Sequence, residues 1–232
     1  MTLRTKEYTQ TKQWVSDTER QAIQSVIQSS FANVDSAEYF AKYFDSPGPF
    51  QRRLRLYFEG EFIVGYCLLT FTDESASTII RASAGFYPDY RKGGNTFQFS
   101  ITESFKCWLR RPWRKLYYAD TMLSPAMYRA IAKRTGIIWP HPNRAMPHDL
   151  FERFNPAGDV SPATASRCLV SVNRTSKYTA DELEAFKASE KAEIQYYQQL
   201  NPDFHKGTAL FVIIPVHFRQ LLVTAFKQFR LQ

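Results

Sequence analysis

Apolar positions change period repeatedly over the first 140 residues, the pattern of alternating helices and strands with short connections. Ser16 with Glu19 makes a capping box, and Ile23, Val26, Ile27 and Phe31 follow at helical spacing. Asp35 and Glu38 open a second helix with Tyr39, Phe40, Tyr43 and Phe44 on one side, ended by Pro47-Gly48-Pro49. A hairpin is predicted next. Leu54, Leu56 and Phe58 alternate with Arg53, Arg55 and Tyr57, Glu59-Gly60 supplies the turn, and Phe62, Val64, Tyr66 and Leu68 return, with Gly65 marking a bulge. A third strand covers residues 78–87 and alternates Ile80, Ala82, Ala84 and Phe86. It leads through Pro88-Asp89-Tyr90 and Arg91-Lys92-Gly93-Gly94-Asn95-Thr96 into a helix with the apolar stripe Phe97, Ile101, Phe105 and Trp108, stopped by Pro112. A fourth strand covers residues 115–122. Ser124-Pro125 then starts a helix that runs through Met127 and Ile131 and closes at Gly136.

Five prolines between Pro140 and Pro162 mark a long ordered loop or linker. Thr179 with Glu182 caps a helix reaching about Leu200, and residues 208–216 read as a buried strand. Residues 217–230 form an amphipathic helix with Phe218, Leu221, Leu222, Phe226 and Phe229 on one face, expected to pack on the core or to make a homodimer contact. The expected organisation is a core at 1–140, a proline-rich and helical excursion at 141–207, and a strand and helix at 208–232 that complete the core. The strand at 208–216 should return to the sheet. The excursion's Phe151, Phe154, Tyr178, Tyr196 and Tyr197 are candidates for an acceptor pocket, although packing accounts for most of them.

Composition narrows the function classes. Apolar residues at 44% suffice for a sizeable core. The three cysteines are odd in number and widely spaced, against a disulfide framework or zinc site and in favour of reduced thiols in the cytoplasm. No apolar run is long enough to cross a bilayer, and the polar N-terminal stretch has no leader pattern, so no membrane role is expected. The net charge of +8 attracts polyanions, but the basic residues are too scattered to favour nucleic acid. Arg110-Arg111-Pro112-Trp113-Arg114-Lys115 lies at the far end of its helix, roughly 20 Å from the glycine turn at ~1.5 Å per residue, where cations complement the dipole. His141 and His148 with Asp149 are too few for a metal site, so no metal is expected.

The chemistry is expected at residues 86–96. A strand that hands over through glycines to a helix start presents backbone N–H groups without intrahelical acceptors, at the positive end of the dipole. Glycine allows close approach, and Arg91 and Lys92 add charge, which makes a phosphate or pyrophosphate site. The P-loop spacing is absent, and Gly93-Gly94 does not supply the dinucleotide fingerprint.

The segment Phe86-Tyr87-Pro88-Asp89-Tyr90-Arg91-Lys92-Gly93-Gly94 resembles the acetyl-CoA pyrophosphate motif of the GCN5-related N-acetyltransferase (GNAT) superfamily, Arg/Gln-x-x-Gly-x-Gly/Ala. Arg91 and Gly94 match, while Thr96 departs at the last position. The element order of residues 1–140 is similar too. The resemblance implies an α/β fold with a mixed, mostly antiparallel twisted central sheet flanked by helices, here with a C-terminal extension. It also implies transfer of an acyl group from acetyl-CoA or another acyl-CoA to a small-molecule or protein amine. Phe86, Arg91, Lys92, Gly93, Gly94, Asn95 and Thr96 would hold the coenzyme. The family's usual glutamate has no counterpart in Thr78-Ile79-Ile80-Arg81-Ala82-Ser83, and its usual tyrosine position is Ala132. Asp120, within an apolar strand, and Tyr128, one turn before Ala132, are the candidate base and acid. The alternative is a catalytically inactive binding module on this fold that recognises a polyanion or a protein partner.

Overall fold

Ser16 and Glu19 cap helix α1 (Asp17–Ser30) reciprocally: the Ser16 hydroxyl accepts from the Glu19 N–H, and the Glu19 carboxylate accepts from the Ser16 N–H at 2.9 Å. The computed structural model describes residues 3–91, 96–172, 174–176 and 178–229. It divides into two compact units, Met1–Leu116 and Tyr117–Gln232. Glu19 also accepts from Lys6 Nζ at 3.1 Å and from the Tyr8 hydroxyl. Burial pushes its pKa up, but the bonds from Tyr8, Ser16 and Lys6 outweigh that and leave it lowered. A lowered folded pKa stabilises the fold above the ordinary carboxylate value, about 4.3, and that contribution is lost as pH falls through the folded value. Glu19→Gln should therefore flatten part of the acid-side fall in melting temperature. Parallel profiles for the two proteins would remove Glu19 from the acid response.

The first unit holds strands β1 (Arg4–Thr9), β2 (Gln51–Glu59), β3 (Phe62–Glu74) and β4 (Ser77–Phe86), in that spatial order and antiparallel throughout. Strand β1 is not legible as apolar alternation, because Tyr8 is its one buried residue. It is held instead by its ladder with β2 and by the ion pair of Glu7 with Arg55. Tyr57 pairs with Gly65 and Phe58 with Ile63, so Val64 is the extra residue of a bulge where the glycine pointed to one. Leu54, Leu56, Phe58, Tyr66 and Leu68 pack with Ile23, Val26 and Ile27 of α1 and with Tyr39, Phe40 and Phe44. Those three come from α2 (Ser36–Phe40) and the π-helical turn Ala41–Asp45 that continues it. Each fully buried side chain of this size contributes about 1.5–3 kcal/mol relative to exposure.

Helix α3 (Thr96–Arg110) does not bury the stripe expected from its sequence. Phe97, Ile101, Phe105 and Trp108 are half-buried, whereas Phe99, Glu103, Ser104 and Cys107 are buried. The cause is the arginine row on β2. Glu103 receives Arg53 Nε at 2.6 Å and Lys106 Nζ at 2.7 Å, and the Arg55 guanidinium lies 4.5 Å from the Phe99 ring centre. The Glu103 carboxylate facing Arg53, with Phe99 beneath the Arg55 guanidinium, displaces the more apolar face from that position.

Most of the second unit's first strand, β5 (Lys115–Met122), lies past the division, followed by α4 (Pro125–Ala132), with Ser124 accepting from the Met127 N–H as its cap. The proline-rich stretch is structured. It carries α5 (His148–Phe154) and β6 (Asp159–Ser161), and β7 (Ser166–Ser171) follows. The single helix expected after Thr179 is two, α6 (Ala180–Lys187) and α7 (Ala192–Leu200). Strand β8 (Thr208–Val216) returns to the sheet between β5 and β7, giving the order β5-β8-β7-β6. Trp139 and Ile213 exchange backbone hydrogen bonds of 2.9 and 2.8 Å. Of the excursion's aromatics, Phe151, Phe154 and Tyr197 are core residues, and the Tyr197 hydroxyl donates to the Met122 carbonyl at 2.7 Å. Tyr178 and Tyr196 are half-buried. The fold class is α/β, with eight mostly antiparallel strands of three or more residues among the described residues, flanked by helices.

The last helix, α8 (Phe218–Phe229), does not turn its apolar face to the core, the first of the two roles expected of it. Its buried residues are Gln220 and Thr224, while Phe218, Leu222, Phe226 and Phe229 are exposed. Gln220 accepts from the Ile137 N–H at 2.7 Å and donates to its carbonyl at 2.8 Å. Thr224 accepts from the Gly136 N–H at 2.9 Å, and Lys227 donates to the carbonyls of Ala132 and Thr135. The chain leaving α4 presents backbone groups that need partners, and the polar face of α8 supplies them. Gly136 permits the approach, because a Cβ there would lie 2.7 Å from Val223 Cγ1.

Candidate acyl-coenzyme site

Strand β4 ends at Phe86, whose side chain is packed rather than presented. Its ring lies 4.9 Å from that of Tyr57, and a Cβ on Gly65 would come within 2.1 Å of it. The missing side chain of Gly65 thus makes room for Phe86, and the Ser30 hydroxyl donates to the Phe86 carbonyl at 3.0 Å. The Tyr87 N–H donates to the Val64 carbonyl at 3.1 Å, which anchors the exit of the strand. The 3-10 turn Pro88–Tyr90 follows, with the Tyr90 hydroxyl donating to the Glu59 carboxylate. Arg91 closes this turn in right-handed helical conformation and is exposed. Lys92, Gly93, Gly94 and Asn95 lie outside the described residues. Thr96 begins α3, half-buried.

The N-terminus of α3 suits an anion. Its first backbone N–H groups have no acceptor within the helix, and partial positive charge accumulates there. Helices α1, α2, α5, α6 and α7 each place a carboxylate in the first turn, whereas α3, like α4 and α8, places none. The basic run at the other end of α3 is largely engaged. Arg111 and Arg114 both pair with Asp73, and Arg114 donates to the carbonyls of Ser75 and Ser77 at 2.7 Å. Trp113 is 76% exposed, so it is no part of a packed groove.

Asp120 and Tyr128 belong to the second unit. Asp120, on β5, is buried and accepts from the Thr121 N–H at 2.8 Å and the Tyr118 hydroxyl at 3.4 Å. Tyr128, on α4, is 1% exposed, and its hydroxyl donates to the Pro140 carbonyl at 2.8 Å. Burial raises its pKa well above the ordinary tyrosine value, with the Tyr196 and Glu193 charges acting in the same direction. Its proton is therefore tightly held and directed at a carbonyl. Glu103 was not a sequence candidate: its charge places it on the solvent side of any apolar pattern, and only the opposing Arg53 shows why it is buried.

Neither a family model nor a curated protein matches the sequence. Solved structures do. FeeM, an N-acyl amino acid synthase from uncultured soil microbes, is 14% identical over 58% of this chain and 79% of its own, with a TM-score of 0.41. The ribosomal-protein-S18-alanine N-acetyltransferase from Escherichia coli is 10% identical over 93% of this chain and 96% of its own, with a TM-score of 0.40. A GNAT family acetyltransferase from Elizabethkingia anophelis with acetyl-CoA bound is 14% identical over 61% of this chain and 88% of its own, with a TM-score of 0.35. All three TM-scores are below 0.5, so a functional assignment rests on the chain's own strand, turn and helix. The chain is similar to solved N-acyl- and N-acetyltransferases, one of them described as a GNAT family member.

Proposed function

We propose that this protein is a divergent GNAT-like N-acyltransferase that uses acetyl-CoA or a longer acyl-CoA. The observation that carries this reading is the handover from β4 through the Pro88–Tyr90 turn and Arg91 to an α3 whose first turn holds no acid. The pyrophosphate would meet the backbone N–H groups of residues 92–96 and the Arg91 guanidinium, with Gly93 and Gly94 allowing the approach. The bound thioester supplies the acyl group. In the transfer the amine nitrogen forms the new C–N bond, the C–S bond breaks, the amine loses a proton and the thiolate gains one. Asp120 is the carboxylate assigned to the amine proton. The Tyr128 proton is committed to the Pro140 carbonyl, so its assigned role is to hold residues 128–140 in place rather than to protonate sulfur.

The test is release of free coenzyme A thiol from acetyl-CoA over a panel of small amines and peptide N-termini. Asp120→Asn should lower turnover at least tenfold with acetyl-CoA affinity unchanged, whereas Tyr128→Phe should keep turnover within about threefold. Equal turnover in wild type and Asp120→Asn would remove Asp120 from the mechanism. The second reading, a binding module without catalysis, is favoured by the committed Tyr128 hydroxyl and by Ala132 at the family's usual acid position. It predicts acyl-CoA binding with no thiol release for any acceptor.

A further inference from the structure

Helix α8 turns its polar side to the protein, which leaves its apolar side for another surface. Phe218, Leu222, Phe226 and Phe229 recur at spacings of four, four and three, and they are 59%, 43%, 68% and 75% exposed. Ala225, on the same stripe, is exposed as well. The orientation is fixed by bonding. Rolling the phenylalanines inward would strip the Gly136 and Ile137 N–H groups of Thr224 and Gln220 and the Ala132 and Thr135 carbonyls of Lys227. Buried backbone groups without partners are costly, so the stripe stays outward.

The charged side chains of α8 itself are all basic, although the Glu193 carboxylate acts on Lys227 from outside the helix. No carboxylate follows Asp203 in the sequence, whereas α8 carries Arg219, exposed, and Lys227. Arg144, which donates to the Gly136 carbonyl at 2.8 Å, adds a cation where Thr224 docks. Two copies joined helix to helix would bring Arg219 and its neighbours together with no acid on either helix to offset them. An anionic surface matches both features, because it takes an aromatic stripe and rewards flanking cations.

We propose that α8 is an interfacial helix that seats Phe218, Leu222, Phe226 and Phe229 in the headgroup region of an anionic lipid bilayer. No described helix is long and apolar enough to cross a membrane, so the association is peripheral. This inference is independent of acyl transfer.

The experiment is sedimentation of the full chain with vesicles of phosphatidylcholine containing about three parts in ten phosphatidylglycerol, against pure phosphatidylcholine. The protein should bind the anionic vesicles and lose most of that binding in high salt. Phe226→Ser combined with Phe229→Ser should weaken binding about tenfold or more, without lowering the melting temperature, since both side chains are exposed. Arg219→Glu, which leaves the stripe intact, should weaken it by roughly tenfold. The proposal is overturned if the protein does not sediment with anionic vesicles, if it binds neutral and anionic vesicles equally, or if the double variant binds like wild type. It is also overturned if light scattering shows a dimer that the double variant converts to monomer, which would assign the stripe to a second copy.

Discussion

Gly94→Trp is expected to weaken acetyl-CoA binding about a hundredfold, ~2.7 kcal/mol, while leaving the melting temperature of the free protein within a few degrees. In the proposed site, pyrophosphate oxygens held by backbone N–H groups need the backbone within hydrogen-bond reach, and an indole at position 94 would block that approach. Loss of two bonds to a charged group, at about 1.5–3 kcal/mol each, accounts for the size of the effect. Titration calorimetry of both proteins checks it. A Gly94→Trp protein that binds as wild type does would place the coenzyme elsewhere or nowhere on this chain.

Arg52→Met is expected to be the most destabilising single change of the first unit, by about 4 kcal/mol. Arg52 is 2% exposed, and its guanidinium is divided among three places. Nε donates to the Tyr43 carbonyl at 3.1 Å, Nη1 to Gln10 Oε1 at 2.8 Å, and Nη2 to the Ser46 hydroxyl at 2.9 Å and to the Ser46 carbonyl. It ties the π-helical turn and the segment after β1 to β2. Burial lowers its pKa, opposed by the Asp45 charge, so the folded protein bears a desolvation cost that these bonds offset. Methionine fills much of the volume but leaves the carbonyls and Gln10 without a donor. A chemical-denaturation midpoint should fall with little change in slope, and the melting temperature should drop by about 15 °C or more. A loss under about 1 kcal/mol would show that water replaces the guanidinium at those acceptors.

The parts of the fold that depend on neighbouring residues were legible in the sequence. Ser16 with Glu19, Ser124 with Pro125 and Thr179 with Glu182 each start a helix where their spacing says, because capping is settled within one turn. The bulge followed from Gly65, since a glycine inside a strand pattern has few other uses. What failed was decided across distance. Strand β1 has a polar pattern and exists because β2 pairs with it. The inward face of α3 is set by Arg53, which pairs with Glu103, and by Arg55, which lies over Phe99, in place of the more apolar stripe. The orientation of α8 is set by unmet backbone groups at Gly136 and Ile137, a demand that no hydrophobic pattern records. Of the expected coenzyme site, the Pro88–Tyr90 turn and Arg91 are local features that precede α3, while residues 92–95 lie outside the described residues. The role of Tyr128 depends on Pro140, twelve residues on, and spacing within α4 carries no trace of it.

Calorimetric titration of the chain with acetyl-CoA, alongside dephospho-coenzyme A and inorganic pyrophosphate, tests the central claim most directly. The proposed coenzyme site at residues 91–96 predicts saturable one-to-one binding of acetyl-CoA with a dissociation constant in the micromolar range, about −8 kcal/mol at 1 μM, lost in Gly94→Trp. Dephospho-coenzyme A should retain most of that affinity, because the proposal puts the pyrophosphate and not the ribose phosphate at the helix start. Absence of any heat or thermal shift with acetyl-CoA and with longer acyl-CoAs at millimolar concentration would contradict the assignment.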